Sequence, residues 1–417
     1  MRGSGARDGD ADGSEGLALL LGKIIFGALV SVLLITPIPY GTVEPWWKAV
    51  FICAVLGIFI LRIIESPIRI NFNSPVLPLL ALTLFAFLQS GISADGLQTQ
   101  FFALQLLALA AFLALLYRYA ATEQRVRALV YVVIAIAITS AIFGLLRETS
   151  QHQTGFLLPM LKPNQGFAQF INKNHFAYLM EMAFGLGVGL VLFERSQHRL
   201  IYGALLLPLW AGLMVSGSRG GIVAMLAQVI IAALLLMKRS VLKTALAAML
   251  IGGVLLAAGV SDLNINTAAI NEGASRNEIW RATLKLFAAH PILGIGLGAY
   301  WIGITAHHDA SGVLVPQEAH NDYLELLASG GVIGFALGVW FVMSVVKTAR
   351  KNWWSNTGFV RAARVGALLG IAGVAVHSLL DFGLHLLSNA VVFLTLIMMV
   401  TARIESQKVV DLNLVKQ

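Results

Sequence analysis

Long apolar segments recur throughout this chain and constrain its fold more than any other feature. They lie at roughly 17–36, 46–64, 76–92, 101–117, 128–146, 175–193, 200–216, 221–237, 242–260, 323–346, 365–385 and 388–402. Most of them approach the run of about 20 residues that an α-helix needs to cross the hydrocarbon core of a bilayer. The pattern therefore predicts about twelve transmembrane helices.

The composition excludes a water-soluble protein. Of the 417 residues, 58% are hydrophobic and only 12% are charged, which is too little charge to cover a soluble surface. Inside lipid each backbone polar group must be satisfied within its own segment, and these continuous apolar runs lack the alternation of barrel strands. We therefore predict an all-α, polytopic integral membrane protein that is surrounded by membrane lipids.

The net charge of +8 is informative through its distribution along the chain. In a soluble protein it would suggest a nucleic-acid partner, but in this chain we expect no nucleic acid. If the N-terminus is cytoplasmic, 20 of the 29 Lys and Arg residues fall in inner segments and 8 in outer ones, and Lys23 lies within the first helix. Because basic residues concentrate on the cytoplasmic side, both termini are predicted to be cytoplasmic.

The predicted helices divide the chain into five parts. These are a disordered cytoplasmic tail (1–16), nine transmembrane helices (17–260), an outer loop (261–322), three further transmembrane helices (323–403) and a second cytoplasmic tail (404–417). The outer loop and the outer segment 147–174 are both too long to be simple turns. Function is therefore expected in these outer segments.

The outer loop contains signals for a helix of its own. Ser275, followed three residues later by Glu278, matches a capping box at a helix start, and His290-Pro291 matches a helix end. The apolar residues between these two signals are Ile279, Trp280, Leu284, Leu286 and Phe287. We interpret them as the apolar side of an amphipathic helix that lies on the membrane surface.

Polar motifs occur where four of the predicted helices begin on the outer side. They are Asn172-Lys173-Asn174-His175, Ser216-Gly217-Ser218-Arg219-Gly220, His320-Asn321-Asp322 and Ser388-Asn389. Helix N-termini carry unpaired N–H groups and a partial positive charge, so they favour an anion. With Arg219 and Arg276 they would form a cradle for a phosphate or pyrophosphate. The alternative is that these residues are ordinary caps and interfacial anchors.

Several motifs together resemble those of the O-antigen ligase family of bacterial membrane glycosyltransferases. They are His320-Asn321 followed by Gly331-Val332-Ile333-Gly334, Ser218-Arg219-Gly220-Gly221, Arg276 with Trp280, His290-Pro291 with Gly294 and Gly296, Asn174-His175-Phe176, and His377 with Asp381-Phe382. These motifs cover about residues 172–390. The first five predicted helices show only general hydrophobicity.

The resemblance implies a reaction and its substrates. The donor would be a glycan on undecaprenyl pyrophosphate, and transfer would take place on the periplasmic face of the bacterial inner membrane. No cofactor, nucleotide sugar or metal is implied. In a ligase, which we favour because of the spacing from His320 to Gly334, the acceptor is lipid A–core. In an O-antigen or exopolysaccharide polymerase it is another lipid-linked glycan.

The resemblance also assigns roles to four residues. His320 would be the base that deprotonates the acceptor hydroxyl, and imidazole is suited to this role because it titrates near neutral pH. Arg219 and Arg276 would hold the pyrophosphate, and Arg281 would be a weaker third cation that could instead anchor its helix. A capping role for His320 is the structural alternative.

Further polar residues of the motifs are predicted to bind substrate. They are Asn174, His175, Asn321, Asp322, Glu325, His377 and Asp381. Asp322 and Glu325 share a helix face, where either could orient His320 or an arginine, or simply form a structural ion pair.

His377 and Asp381 are expected near the outer end of the eleventh helix. Ionisable residues within a membrane suggest function, although a mutual hydrogen bond that supports helix packing is the interpretation we prefer. Glu181 in the sixth helix is a similar case, and the sequence does not identify its partner.

A transporter for an anionic solute is the alternative from another functional class. A transporter would favour charged residues near the bilayer midplane in both halves of the chain. In this sequence the candidate residues lie toward one face of the membrane, which favours an enzyme.

Overall fold

A computed structural model describes residues 8–65, 74–150, 166–194, 197–236, 267–308, 316–353 and 358–404. Within these ranges the α-helices are α1 (Asp8–Ile35), α2 (Pro45–Glu65), α3 (Val76–Gln89), α4 (Gly96–Tyr119), α5 (Glu123–Ser150), α6 (Lys173–Phe193), α7 (Arg199–Ser216), α8 (Arg219–Leu236), α9 (Thr267–Ala289), α10 (Tyr300–Gly303), α11 (Asp322–Asn352), α12 (Phe359–His377) and α13 (Leu387–Thr401). Two 3-10 helices cover Ile304–Ala306 and Gly383–His385.

Seven of these helices are long and apolar enough to cross a membrane, and four shorter apolar helices accompany them. Together the eleven coincide with eleven of the twelve predicted segments. The remaining segment, 242–260, lies outside the described residues. The all-helical, multi-pass architecture is therefore confirmed, whereas the count of twelve stays a prediction.

Helices α6 and α12 form the centre of the bundle through close backbone contact. A Cβ atom added to Gly185 would lie 2.4 Å from the backbone nitrogen of Gly370, and one added to Gly189 would lie 2.4 Å from the carbonyl oxygen of Ala362. Small residues allow this approach, which is a common basis of helix association in membranes. The contact fixes α6 and α12 relative to each other.

Helix α11 is interrupted at Gly331, where the sequence predicted a continuous helix. Gly331 has φ 63° and ψ −167°, and a Cβ atom there would lie 2.3 Å from the carbonyl oxygen of Ile292. The loop after α9 fills the break, because Ile295 N donates to Ala328 O at 3.1 Å and Val332 N donates to Pro291 O at 2.9 Å. These tertiary hydrogen bonds replace the helical ones that the apolar pattern had implied.

Replacing Gly331 with alanine should therefore destabilise the protein by at least about 1–3 kcal/mol, through left-handed backbone strain and the clash with Ile292. Gly330→Ala is the matched control, since its nearest new contact would be 3.5 Å away. Thermal unfolding in detergent would compare the two variants. Equal stability of both would contradict the proposed reason for the glycine.

The start of α9 and the environment of its apolar residues differ from the prediction. The helix begins at Thr267, so Ser275 lies inside it and is not its N-cap, while the end at Ala289 agrees with the His290-Pro291 signal. Ile279 and Leu286 are buried, whereas Leu284 is 50% exposed. The buried side of α9 packs against α10, α11 and the segment before α11. These residues hold the outer loop onto the bundle.

Trp280 has a packing role in the structure besides the position at the membrane surface that the sequence predicts for its helix. Its indole Nε1 donates a 3.0 Å hydrogen bond to the carbonyl oxygen of Ala319. Ala319 immediately precedes His320, so α9 is fastened directly beside the predicted catalytic histidine. The sequence could not distinguish these two roles, because Trp suits both environments.

Helix α12 ends at His377, eight residues before the predicted end at 385. The carbonyl groups of Ser378 and Leu379 instead accept hydrogen bonds from the Asp322 backbone N–H and the Asn321 side chain, both at 3.0 Å. The continuing apolar sequence gave no stop signal. Asp381 consequently lies beyond the helix, in the segment 378–386, which we call the connecting segment.

Candidate active site

The N-terminal ends of α6, α8, α11 and α13 meet at the connecting segment. Asn389 of α13 donates from its amide to the carbonyl oxygens of His175 and Gly383, at 3.0 and 3.1 Å. Ser218 Oγ donates to Asn174 Oδ1 at 2.8 Å, and Asn174 in turn donates to Asp381. The four polar motifs identified in the sequence therefore come together in one place.

Side chains cap three of these helices. Asn172 Oδ1 accepts from the Asn174 N–H at 2.8 Å, and Ser218 Oγ accepts from the Gly221 N–H at 3.3 Å. Asn321 Oδ1 accepts from two N–H groups of α11, at 3.1 and 3.0 Å. Asn321 thus acts as the N-cap of α11 and a link to the connecting segment, so the capping interpretation is correct for this residue.

Asp381 is the centre of the site. Its carboxylate is 1% exposed and lies 3.4 Å from His320 Nδ1 and 3.9 Å from Arg276 Nη2. It also accepts from Asn174 and, at 2.9 Å, from the backbone N–H of Phe382. Burial alone would raise the pKa of Asp381, but the hydrogen bond and charge of His320, with His175 and the Phe382 N–H, lower it to about 2. The group is therefore a carboxylate at neutral pH.

His320 is oriented by its backbone conformation and by contacts with Asp381 and Phe382. Its backbone has φ +50°, a left-handed conformation that is uncommon outside glycine and turns the residue sharply out of the chain direction. Its Nδ1 faces Asp381, and its ring packs edge-on against Phe382 with centroids 5.0 Å apart. A neutral imidazole that donates from Nδ1 to a carboxylate carries its lone pair on Nε2. Nε2 is consequently the nitrogen that can accept a proton from a substrate.

The three predicted cationic residues differ in their relation to this centre. Arg276 reaches Asp381 from α9 and is 37% exposed. Arg219 is the exposed first residue of α8, and the preceding Ser218 is bonded to Asn174. Arg281 is exposed and lies five residues after Arg276, roughly 140° around the helix. The structure thus brings Arg276 to the centre, places the start of α8 beside it through Ser218, and leaves Arg281 apart from the hydrogen bonds around Asp381.

His175 packs against the same aromatic residue as His320, Phe382. Its ring is buried and packs edge-on against Phe382 with centroids 4.9 Å apart. Its Nε2 has no hydrogen-bond partner in the described part of the chain. Phe382 therefore contacts both histidine rings and limits the orientations that each can adopt.

His377 and Asp381 do not form the predicted side-chain hydrogen bond. His377 Nδ1 lies 3.1 Å from Glu181 Oε2, and both side chains are fully buried. Tyr178 stacks on the His377 ring with centroids 4.2 Å apart. The pair supplies the partner of Glu181 that the sequence could not identify, and it ties α6 to α12 directly beneath the site.

Asp322 and Glu325 do not contact His320, contrary to one of the roles considered above. They face His385, a residue that the sequence analysis missed, with His385 Nε2 to Asp322 Oδ1 and His385 Nδ1 to Glu325 Oε1 both at 3.4 Å. Glu318, also missed, lies 3.2 Å from His385 Nδ1. We call these four residues the acidic cluster. The only sequence signal for it was the position of Glu318 two residues before His320.

The atoms of this cluster could hold a metal ion. One ligand atom from each of Glu318, Glu325 and His385 lies within 4.8 Å of the others. The sequence indicated no metal site, because these residues come from three different segments and lack a compact ligand spacing.

His385 is a cation within this cluster. Burial alone would lower its pKa, but the negative charges of Glu325, Glu318 and Asp322 raise it to about 10. Burial would likewise raise the pKa of Glu318, but the charge of His385 and its hydrogen bond outweigh burial and lower it. The protonated imidazole therefore stabilises the clustered carboxylates.

This arrangement predicts a pH-dependent stability. The pKa of His385 is higher in the folded protein than its ordinary value of 6.5, so the stabilisation is complete below about pH 6.5 and is lost as the pH rises through 10. The quantity to follow is the Tm of the wild type minus the Tm of His385→Gln, measured by thermal unfolding in detergent. We expect this difference to decrease as the pH rises from 7 to 10. A constant difference in Tm across this range would refute the charged state.

Comparison with known proteins gives one match. Residues 204–339 match the family model for O-antigen ligase, which confirms the resemblance suggested by the motifs. The matched region extends from α7 to the second half of α11 and includes Arg219, Arg276 and His320. No curated protein matches the chain.

Proposed function

We propose, from the membership of residues 204–339 in the O-antigen ligase family, that this multi-pass membrane protein transfers a glycan from undecaprenyl pyrophosphate to an acceptor hydroxyl. The observation that carries the proposal is the meeting of His320 and Arg276 at one buried carboxylate, Asp381. A base and a cation are thereby held a short distance apart, as glycosyl transfer from a pyrophosphate requires.

In the proposed reaction His320 Nε2 takes the proton of the acceptor hydroxyl. The resulting oxygen attacks the anomeric carbon of the donor, a new C–O bond forms, and the bond from this carbon to the pyrophosphate oxygen breaks. The electron pair leaves with the lipid pyrophosphate, whose charge Arg276 and Arg219 stabilise. Asp381 holds the His320 ring, and its carboxylate lies beside the imidazolium that forms during transfer.

Positive charge at the leaving group comes from protein residues in this scheme. Arg276 and Asn174 both approach Oδ2 of Asp381, and Asn174 is bonded in turn to Ser218, which precedes Arg219 at the start of α8. Such groups favour anions without a metal. We therefore propose a metal-independent reaction with no cofactor.

The acceptor is proposed to be lipid A–core, which makes the protein an O-antigen ligase of lipopolysaccharide biosynthesis. A polymerase would use the same donor and the same base, and would differ only in adding a second lipid-linked glycan. The signature from His320 to Gly334 supports the ligase. No contact in the site itself selects one acceptor over the other.

We place the protein in the bacterial inner membrane with both termini in the cytoplasm and the site in the periplasm. The proposal rests on the distribution of Lys and Arg described above. A Cys53→Ser background would carry single cysteines at Thr305 or Lys351, both exposed positions. An impermeant thiol reagent on spheroplasts should label position 305 and spare position 351, and the reverse pattern would invert the topology.

Reconstitution tests the reaction itself. Purified protein in liposomes, supplied with undecaprenyl-pyrophosphate glycan and lipid A–core, should give a conjugate that requires both substrates. Extension of the lipid-linked glycan without lipid A–core would establish the polymerase instead. Solute uptake without any covalent product would favour the anion or small-solute transporter.

A further inference from the structure

A polar cavity of about 270 Å³ lies beside the candidate active site. Gln317 and Glu318 form part of its wall, and His320 follows Glu318 after one residue, Ala319. Because consecutive Cα atoms are about 3.8 Å apart, the Cα atoms of Glu318 and His320 are separated by at most roughly 7 Å. One short segment therefore borders the cavity and supplies the proposed base.

The wall of this cavity combines aromatic rings with uncharged, acidic and basic hydrogen-bonding groups. The aromatic residues are Phe101, Tyr300 and Trp301, the amides include Gln98 and Gln105, and the carboxylates are Glu318 and Glu325. Aromatic faces can pack against the C–H surface of a sugar ring, while amides and carboxylates hydrogen-bond its hydroxyl groups. The wall carries basic side chains, Lys48 and His385, as well as acidic ones, so it favours a neutral, hydroxyl-bearing molecule over a strongly charged group.

Ser329 provides an independent indication of a ligand. It is 3% exposed and lines the cavity, but its hydroxyl has no hydrogen-bond partner in the described part of the chain. Its carbonyl oxygen is already engaged by Gln89, at 2.7 Å. A buried hydroxyl without a partner is unfavourable, so a hydrogen-bonding molecule in the cavity would complete the site.

The size and the opening of the cavity limit its occupant. Its volume lies just below the roughly 300–1,000 Å³ of typical small-ligand sites, so it suits one sugar ring. A wider cavity of about 550 Å³ shares Pro45, Gln98 and Phe101 with it. Trp46, which is 57% exposed, lines this outer cavity. The remainder of a glycan could extend through this opening.

We propose that the inner cavity binds one neutral or amino sugar of the acceptor glycan and thereby presents its hydroxyl to His320. The inference rests on the proposed function and extends it by locating the acceptor on the Gln317–Glu318 side of the segment that ends at His320. The donor pyrophosphate occupies the side of Asp381, Arg276 and Arg219. The two substrates thus meet at His320 from different directions.

The test compares two glutamines of α4. Gln105 is buried and lines the cavity, whereas Gln100 is exposed on the same helix. Saturation-transfer NMR on full-length protein in detergent would use core oligosaccharide released from lipopolysaccharide by mild acid, with glucose and glucosamine as smaller probes. Gln105→Ala should weaken oligosaccharide binding about tenfold or more, because a buried hydrogen-bonding group is lost, and Gln100→Ala should not.

Kinetics on the reconstituted protein provide the second readout. Gln105→Ala and the milder Ser329→Ala should raise the KM for the acceptor while the KM for the donor stays unchanged. Transfer with an unaltered acceptor KM in both folded variants would overturn the inference and leave the proposed function intact. Oligosaccharide binding at this cavity without any transfer would overturn the proposed function instead.

A metal-binding measurement tests whether the cavity holds a cation instead of a sugar. Calorimetry with Mg²⁺, Ca²⁺ or Zn²⁺ alone would be performed on the wild type and on Glu318→Gln. Metal binding that Glu318→Gln abolishes, together with no NMR signal from any sugar, would overturn the sugar site in favour of a cation site. Sugar binding without added metal supports the inference.

Discussion

His320→Ala should lower glycan transfer by about 100-fold or more while folding and donor binding are retained, because the variant loses the proposed general base. The Nδ1 of His320 faces Asp381 at 3.4 Å, so Nε2 is the atom whose loss matters. The measurement is the initial rate of conjugate formation at saturating donor and acceptor. Donor binding would be measured separately on the same preparation.

His198→Ala is the matched control for this variant. His198 is exposed, lies immediately before α7, and makes no side-chain capping hydrogen bond there. It should transfer glycan at the wild-type rate. Wild-type transfer by His320→Ala itself, at equal protein level, would mean that another group removes the acceptor proton.

Arg276→Ala is the second substitution with a large expected effect. The loss of a charge-assisted contact to the departing pyrophosphate costs about 2–4 kcal/mol, which corresponds to a rate decrease of roughly 30-fold to 1,000-fold. Lysine should restore only part of the rate, since it is a point charge without the planar guanidinium group. The rate and the donor KM would be measured in the same assay.

Lys285→Ala serves as a control on the same helix, since Lys285 is exposed and belongs to α9. Arg276 also approaches Asp381, so thermal unfolding of Arg276→Ala should be compared with that of the wild type. An Arg276→Ala protein of normal stability and full activity would reduce this residue to a structural partner of Asp381.

The helical architecture and the location of the site could be predicted from sequence. Apolar length identified the helices, and the polar motifs at helix starts identified the residues that meet at the connecting segment. Both signals are local, since a transmembrane helix satisfies its own backbone and a cap lies beside the N–H groups it serves. The position of His320 at the start of α11 followed from the same local pattern.

The partners of the site residues could not be predicted. Asp381 was expected in a helix beside His377. Instead, tertiary hydrogen bonds from the start of α11 accompany the end of α12 at His377, and Asp381 lies beyond the helix, next to His320. The acidic cluster depends on the same change of direction, which brings His385 to Glu318. Such contacts between distant segments leave no periodic pattern in a single sequence.

The interruption of α11 was missed for a related reason. The sequence around Gly331 continues the apolar pattern on both sides, so it reads as one helix. What breaks the helix is the loop containing Gly294, whose backbone approaches that of α11 so closely that a Cβ on Gly294 would lie 2.3 Å from the carbonyl oxygen of Ser329. The need for glycine at both position 294 and position 331 arises from this close backbone approach, so it becomes visible only in the three-dimensional structure.

The position of Asn389 has a consequence for biosynthesis of the protein. Its side chain, from the last described helix, bonds the start of α6 to the connecting segment. The ribosome makes this helix after every other described helix. A nascent chain that already contains His320, Arg219 and Arg276 therefore still lacks the hydrogen bonds of Asn389. The hydrogen bonds of Asn389 can therefore form only after α13 has been made, and a chain truncated before α13 would lack them.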